Sequence, residues 1–217
     1  MTHPLSRRVG TVALAVAVPL TGLAAVPASA APAGTVVTRR DVDGDKRKDA
    51  VHFSSDGSVL TISVDRARGR TLSKRLRTSG VDGGIWHGAA AIDGRRGAEL
   101  VVVVKAGAHT LYNTVLTIRG GRLVTARTPA GAARWVTDSA NSANIGWRRF
   151  KDDGRTYVTK RSVGRDEDGA WVGRAVTYRW TSDGWRKSGK ARTLRPTSDR
   201  VAYRLGGWRV AGLRVFP

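Results

Sequence analysis

Residues 39–53 read RRDVDGDKRKDAVHF, and this short segment sets the terms for the whole chain. Asp41, Asp43, Asp45 and Asp49 stand at positions 1, 3, 5 and 9 of a nine-residue stretch that runs straight into the apolar AVHF. A chain of formal net charge +21 that gathers four of its 17 acidic residues here needs a physical reason to hold like charges together. Calcium supplies one, because it takes six to eight oxygens at about 2.3–2.6 Å and a turning loop with alternating carboxylates delivers them to one point. Gly44 allows the backbone to turn within the loop, and the main-chain carbonyl of Arg47, at position 7, is a fifth candidate ligand. An EF-hand would need glycine at position 6 and glutamate at position 12, where this chain has Lys46 and His52. The cations Lys46, Arg47 and Lys48 lie inside the loop. At roughly 10 Å in water each opposes a divalent ion by about 0.8 kcal/mol, which weakens binding toward the extracellular range of about 0.1–1 mM without abolishing it.

Outward from this loop, short runs rich in Val, Thr, Ile, Tyr and Trp recur: TVVT, DAVHF, SVLTISV, ELVVVVK, NTVLTIRG, RLVTART, RTYVTKRSV, RAVTYRW and GWRVAGLRVF. Turn dipeptides separate many of them, among them Asp56-Gly57, Gly120-Gly121, Asp153-Gly154 and Asp183-Gly184. Beyond the first 30 residues no segment of ten or more has a 3.6-residue apolar period. The pattern predicts an all-β fold.

The chain also resembles itself. DVDGDKRKDAVHF aligns with AIDGRRGAELVVV, placing Asp43 on Asp93, Gly44 on Gly94 and Asp49 on Glu99, and a fainter third copy starts at FKDDGRTYVTKRSV. Trp86, Trp147 and Trp208 recur at equal spacing, each opening a strand. These signals predict units of roughly 50–60 residues, spanning approximately 36–84, 85–145 and 146–217. The unit is a Trp-led strand, a loop and about three antiparallel strands, the composition of a propeller blade, although the first unit lacks its Trp-led opening. The architecture expected is a set of repeated four-stranded antiparallel units in a small or incomplete β-propeller-like array, with a β-sandwich as the alternative. The terminal GWRVAGLRVF is placed to complete the first sheet.

The D-x-D-G-D-x-x-x-D loop leading into an apolar strand resembles the calcium loop of FG-GAP, or VCBS, repeats, the blades of integrin-type β-propellers. Asp41, Asp43, Gly44, Asp45 and Asp49 carry the likeness. It implies blade-like repeats, a calcium ion that rigidifies the loop, and a role in adhesion or ligand binding. In the second copy Ala91 and Arg95 replace the first and third aspartates, so that loop is expected to bind no metal, with Asp93 accepting backbone N–H bonds instead. The third, with Asp152 and Asp153, reads as a turn.

Residues 1–30 have the order of a secretory signal: Arg7 and Arg8, an apolar run from Val9 to Val26 broken by Pro19 and Gly22, then Ala28-Ser29-Ala30 with cleavage after Ala30. Secretion follows, by either the Sec or the Tat route. Residues 31–217 then form a single repeat domain. Cysteine is absent, which excludes disulfides and thiolate zinc sites. The strong positive charge suits a polyanion, glycan or cell-wall polymer as partner, and so does the clustering of Trp171, Trp180 and Trp185 with Arg174, Arg179 and Arg186.

Catalytic signatures are weak. His52, His87 and His109 lie at no zinc-like spacing, although His87 could line a groove. Ser139, His109 and Asp138 could be assembled into a triad, but no local nucleophile motif supports it. The sequence therefore predicts a calcium-stabilised binding or scaffold module without catalytic residues. The alternatives are a secreted enzyme acting on an extracellular polymer, or nonspecific polyanion binding through the basic surface.

Overall fold

The computed structural model describes residues 34–214, so the expected signal peptide lies outside the described residues. The fold is all-β apart from one five-residue helix. Four strands, β1 (Thr35–Arg40), β2 (Asp49–Asp56), β3 (Val59–Asp65) and β4 (Leu72–Arg77), form an antiparallel meander that is a sheet of its own. A second meander follows: β5 (Ile85–Ala90), β6 (Glu99–Ala106), β7 (Thr110–Arg119) and β8 (Arg122–Ala126). The short β9 (Trp135–Ser139) pairs with the free half of the long β7 and passes the sheet on to β10 (Ala143–Asp152). From there β11 (Arg155–Arg165), β12 (Trp171–Thr181) and β13 (Gly184–Lys187) make a third meander, and β14 (Arg192–Leu194) pairs with the other half of β12. Helix α1 (Asp199–Tyr203) and β15 (Gly207–Arg209) complete the described chain. The second and third meanders thus share one eleven-stranded sheet, which does not close into a barrel.

Turn chemistry places several hairpins. Gly120-Gly121 and Asp153-Gly154 each form the two-residue connection itself, both residues at positive φ, as a type I′ turn requires. The Asp56-Gly57 and Asp183-Gly184 signals sit one position off their two-residue loops.

Burial explains why β6 reads as a continuous apolar run. Leu100, Val102 and Val104 face the first sheet, where they pack with Val51, Leu60, Ile62 and Val64. Val101 faces the other way, into a core with Val115, Trp135, Trp147, Val158 and Trp208. A strand covered on both faces has no polar side to alternate. The periodic tryptophans divide between these cores: Trp86 packs at the margin of the first, whereas Trp147 and Trp208 belong to the second with Trp135. Ring centroids there are 4.6 Å apart for Trp135 and Trp147 and 5.6 Å for Trp135 and Trp208.

The expectation that the last strand completes the first sheet is corrected. β15 lies parallel to β10, with Gly146 opposite Gly207, Trp147 opposite Trp208 and Arg148 opposite Arg209. Leu213 bridges Gly88 of β5, and the N–H of Arg214 donates to the His87 carbonyl. The tail is drawn to the Trp135–Trp147 core because Trp208, 1 % exposed, buries its whole ring there.

Gly146 permits this approach. A Cβ at this position would stand 2.1 Å from the Leu205 carbonyl oxygen and 2.6 Å from that of Gly207. Gly146→Ala should therefore push β15 off β10 and lower stability by at least about 1–3 kcal/mol. Gly164→Ala, whose Cβ would meet nothing closer than the Ser142 oxygen at 3.6 Å, should cost much less. Denaturant midpoints of the two variants test this.

Candidate metal centre

The acidic loop joins β1 to β2, and hydrogen bonds within the loop shape it. Asp41 accepts from Gly44 N–H at 2.7 Å on Oδ1 and from Lys46 N–H at 2.9 Å on Oδ2. Asp43 Oδ1 accepts from Asp45 N–H at 3.1 Å, and Asp45 Oδ1 from Arg47 N–H at 2.7 Å. Asp49, the first residue of β2, is fully buried and uses both oxygens, on Val42 N–H at 2.8 Å and on Ala67 N–H at 2.9 Å. Gly44 has φ +88°, and a Cβ there would lie 2.9 Å from the Cβ of Arg96, so this glycine serves both the turn and the contact with the second loop.

One carboxylate oxygen each from Asp41, Asp43 and Asp49 come within 4.8 Å of one another. Oxygens on opposite sides of a calcium ion stand up to about twice the 2.3–2.6 Å bond length apart, so the spacing fits. A carboxylate oxygen that accepts one N–H keeps a second lone pair for a cation. Asp45 is not part of this group; it is exposed, as is Arg47. Burial, and then the neighbouring Asp49 and Asp45 charges, push the Asp43 carboxyl above its ordinary value, against the Asp45 N–H bond and Arg66. Arg66 Nη1 is 3.8 Å from Asp43 Oδ2, too long for a tight ion pair.

The second loop repeats the scaffold with a different filling. Glu99 stands where Asp49 does in the first unit: its Oε2 accepts from Ile92 N–H at 2.7 Å, as Asp49 accepts from Val42. Asp93 Oδ1 accepts from Arg95 N–H at 2.7 Å, the counterpart of the Asp43–Asp45 bond. Here, however, the Arg119 guanidinium lies against the acids, Nη2 standing 2.5 Å from Asp93 Oδ2 and 3.7 Å from Glu99 Oε1. A protein cation thus sits between the two carboxylates. The two loops touch, Ala98 N–H donating to the Asp41 carbonyl at 2.8 Å. The third candidate loop is the β10–β11 hairpin turn.

Compared with known proteins, the chain matches no family model, no curated protein and no solved structure. Its site must be read from its own geometry.

Nothing in a residue-by-residue alignment points to Arg119, because the similar VLTIS and VLTIR runs occupy different registers. Val59 pairs with Asp56 beside the hairpin turn, whereas Val115 pairs with Val101, near the loop. The longer second hairpin slides its run toward the acids and delivers Arg119 to them.

The remaining candidates disperse. Trp171 is buried, its Nε1 donating to Asp199 at 2.8 Å, with Arg165 over its ring. Trp180 and Trp185 meet edge to face at 4.9 Å and wall a cleft of about 550 Å³ between the second loop and the β12–β13 hairpin, with Arg95 above Trp180 and Arg119 and Glu99 deeper in. His87 is buried against Trp208, with Nε2 2.8 Å from the Arg214 carbonyl oxygen, so it lines no groove. His52 stands in β2, with Nδ1 3.4 Å from the Gly34 carbonyl oxygen. His109, Asp138 and Ser139 line one cavity of about 260 Å³. Asp138 Oδ2 takes its bond from the Thr110 hydroxyl, and adjacent strand residues such as Asp138 and Ser139 point to opposite faces. That is not the geometry of a nucleophile–base–acid relay.

Burial, and then the Asp93 charge, push Glu99 up from 4.5 to about 7, against the Ile92 and Asp93 N–H bonds and Arg119. With a folded value above the unfolded one, the folded state holds the proton longer. The associated stability is complete below about 4.5 and is lost as pH rises through about 7. Glu99→Gln should flatten that part of the profile, so that the unfolding free energy of the variant, from denaturant titration, falls less than that of wild type between pH 5 and pH 8, by on the order of 1 kcal/mol or more.

Proposed function

We propose that the chain is a secreted, calcium-stabilised module of FG-GAP-like repeats that binds or scaffolds an extracellular ligand. The convergence of Asp41, Asp43 and Asp49 carries this reading. Three acids held in one partly buried place repel one another, and a divalent cation would relieve that repulsion while bracing the loop to β1, β2 and the β3–β4 connection. Asp45 and the Arg47 carbonyl are the further ligands proposed from spacing; both residues are exposed. The second loop, whose acids already hold Arg119, is assigned a bracing role without metal.

Binding in place of catalysis is supported by the character of the cleft of about 550 Å³ beside the second loop. Its mouth carries the Trp180–Trp185 pair and Arg95, a combination that stacks on sugar or planar groups and attracts anions. A glycan or cell-wall polymer is the ligand class proposed for it. No helix among the described residues is long and apolar enough to cross a membrane.

A thermal melt of the protein with calcium or with chelator tests the metal. For a dissociation constant near 0.1 mM, a hundredfold excess of calcium should add about 2.7 kcal/mol, equivalent to roughly 5–10 °C for a chain of this size. Asp43→Ala should melt at one temperature in both conditions. Superimposed wild-type curves would remove the site.

A further inference from the structure

The third meander presents two unlike faces. Toward the second core it turns Trp147 and Val158. On the opposite face, Arg148, Thr159 and Thr177 lie in register across β10, β11 and β12, as do Gly146, Arg161 and Ala175. The parallel pairing of β15 sets Arg209 beside Arg148, and β14 sets Arg192 beside Ala175. Four cations, Arg148, Arg161, Lys190 and Arg192, line a cavity of about 370 Å³ on this face, together with Phe150 and the two threonines, and no carboxylate lines it. Phe150 stacks on Tyr157 at 5.2 Å with Arg148 over its ring, which fixes the rim.

Arg161 is the unusual member. Its Nε and Nη2 are shut off from solvent with no hydrogen-bond partner among the described residues. Burial, then the charges of Arg209 and Arg148, push its guanidinium down to about 10. A cation held among cations with buried, unused donors is costly unless an anion meets it. Among the described residues the other arginine with a buried, unpartnered nitrogen is Arg149, at Nε alone, whereas Arg75 on β4 is simply exposed.

We propose that this cavity is an anion-binding site for phosphoryl groups, centred on the Arg161 guanidinium and flanked by Arg148, Lys190, Arg192 and the Thr159 and Thr177 hydroxyls. A guanidinium presents paired donors that match two oxygens of a phosphate. Four convergent positive charges favour a multiply charged phosphate over a single carboxylate. The hydroxyls, which bond each other at 2.9 Å, can turn to donate to the same group. This site goes beyond the calcium-loop reading and lies on a different meander, so neither depends on the other.

Calorimetric titration tests it at about 0.15 M salt, where long-range attraction is largely screened, and with chelator present so that the calcium loop plays no part. The probes are inorganic tripolyphosphate and a poly(glycerol phosphate) chain, with hyaluronate as a carboxylate polymer of like charge. Wild type should bind at least one phosphate probe more tightly than hyaluronate, the stronger of the two naming the source as free or chain-linked phosphate. Arg161→Gln should lose roughly tenfold or more in affinity while melting no lower than wild type, because an unpaired buried charge has been removed. Arg75→Gln, which removes the same charge from β4, should bind as wild type. Equal losses in the two variants would reduce the effect to diffuse charge and overturn the site, as would no wild-type binding or a preference for hyaluronate.

Discussion

The fold's loops hang on a buried carboxylate placed at the first residue of a strand. Asp49 has no exposed surface and shares its two oxygens between the N–H of Val42, at the start of its own loop, and that of Ala67, in the β3–β4 connection. Glu99, 2 % exposed, does the same for the second loop through Ile92. A carboxylate taken out of water is tolerable only when such donors replace its hydration, and each backbone N–H would in turn be stranded without it. This mutual dependence fixes where each loop ends and each strand starts. It also sets the loop's other acids at fixed distances from Asp49.

From that constraint the two loops diverge through what stands between the acids. In the second unit the long β7 brings Arg119 onto Asp93 and Glu99, and the charge is balanced within the chain. In the first unit the one ion pair to the clustered acids among the described residues is Arg66, at 3.8 Å from Asp43, and no guanidinium lies between them as Arg119 does in the second. The difference is one of register. The loops are also not independent, since the Asp41 carbonyl accepts from Ala98 and Gly44 packs on Arg96. Order imposed on the first loop is thereby passed to the margin of the core shared by the two sheets.

Local pattern made the strands legible. Runs such as SVLTISV and RTYVTKRSV became β3 and β11, and the Asp153-Gly154 and Gly120-Gly121 pairs became turns, because β-propensity and positive φ are properties of neighbouring residues. LSKRLR, which became β4, was not legible, since its polar side chains alternate with only two leucines and its pairing with β3 supplies the order. Of the acidic loop, Asp41, Asp43 and Asp49 converge as their spacing suggests, while Asp45 turns to cap Arg47. What pattern could not reveal was contact between distant segments: Trp208 beside Trp147, Arg119 on Glu99, and the buried Nε and Nη2 of Arg161 left without a partner among the described residues. The equal spacing of the three tryptophans does not mark strand starts throughout: Trp86 and Trp208 stand second in their strands, but Trp147 lies in the middle of β10, and Trp86 serves a different core from the other two.

The central claim is that the first loop holds a divalent cation and the second holds an arginine in its stead. Isothermal titration of the metal-free protein with calcium counts the sites directly. One site per chain, abolished by Asp41→Asn and left in place by Arg119→Gln, is the predicted result. No measurable heat of binding, or two equivalent sites, would contradict it.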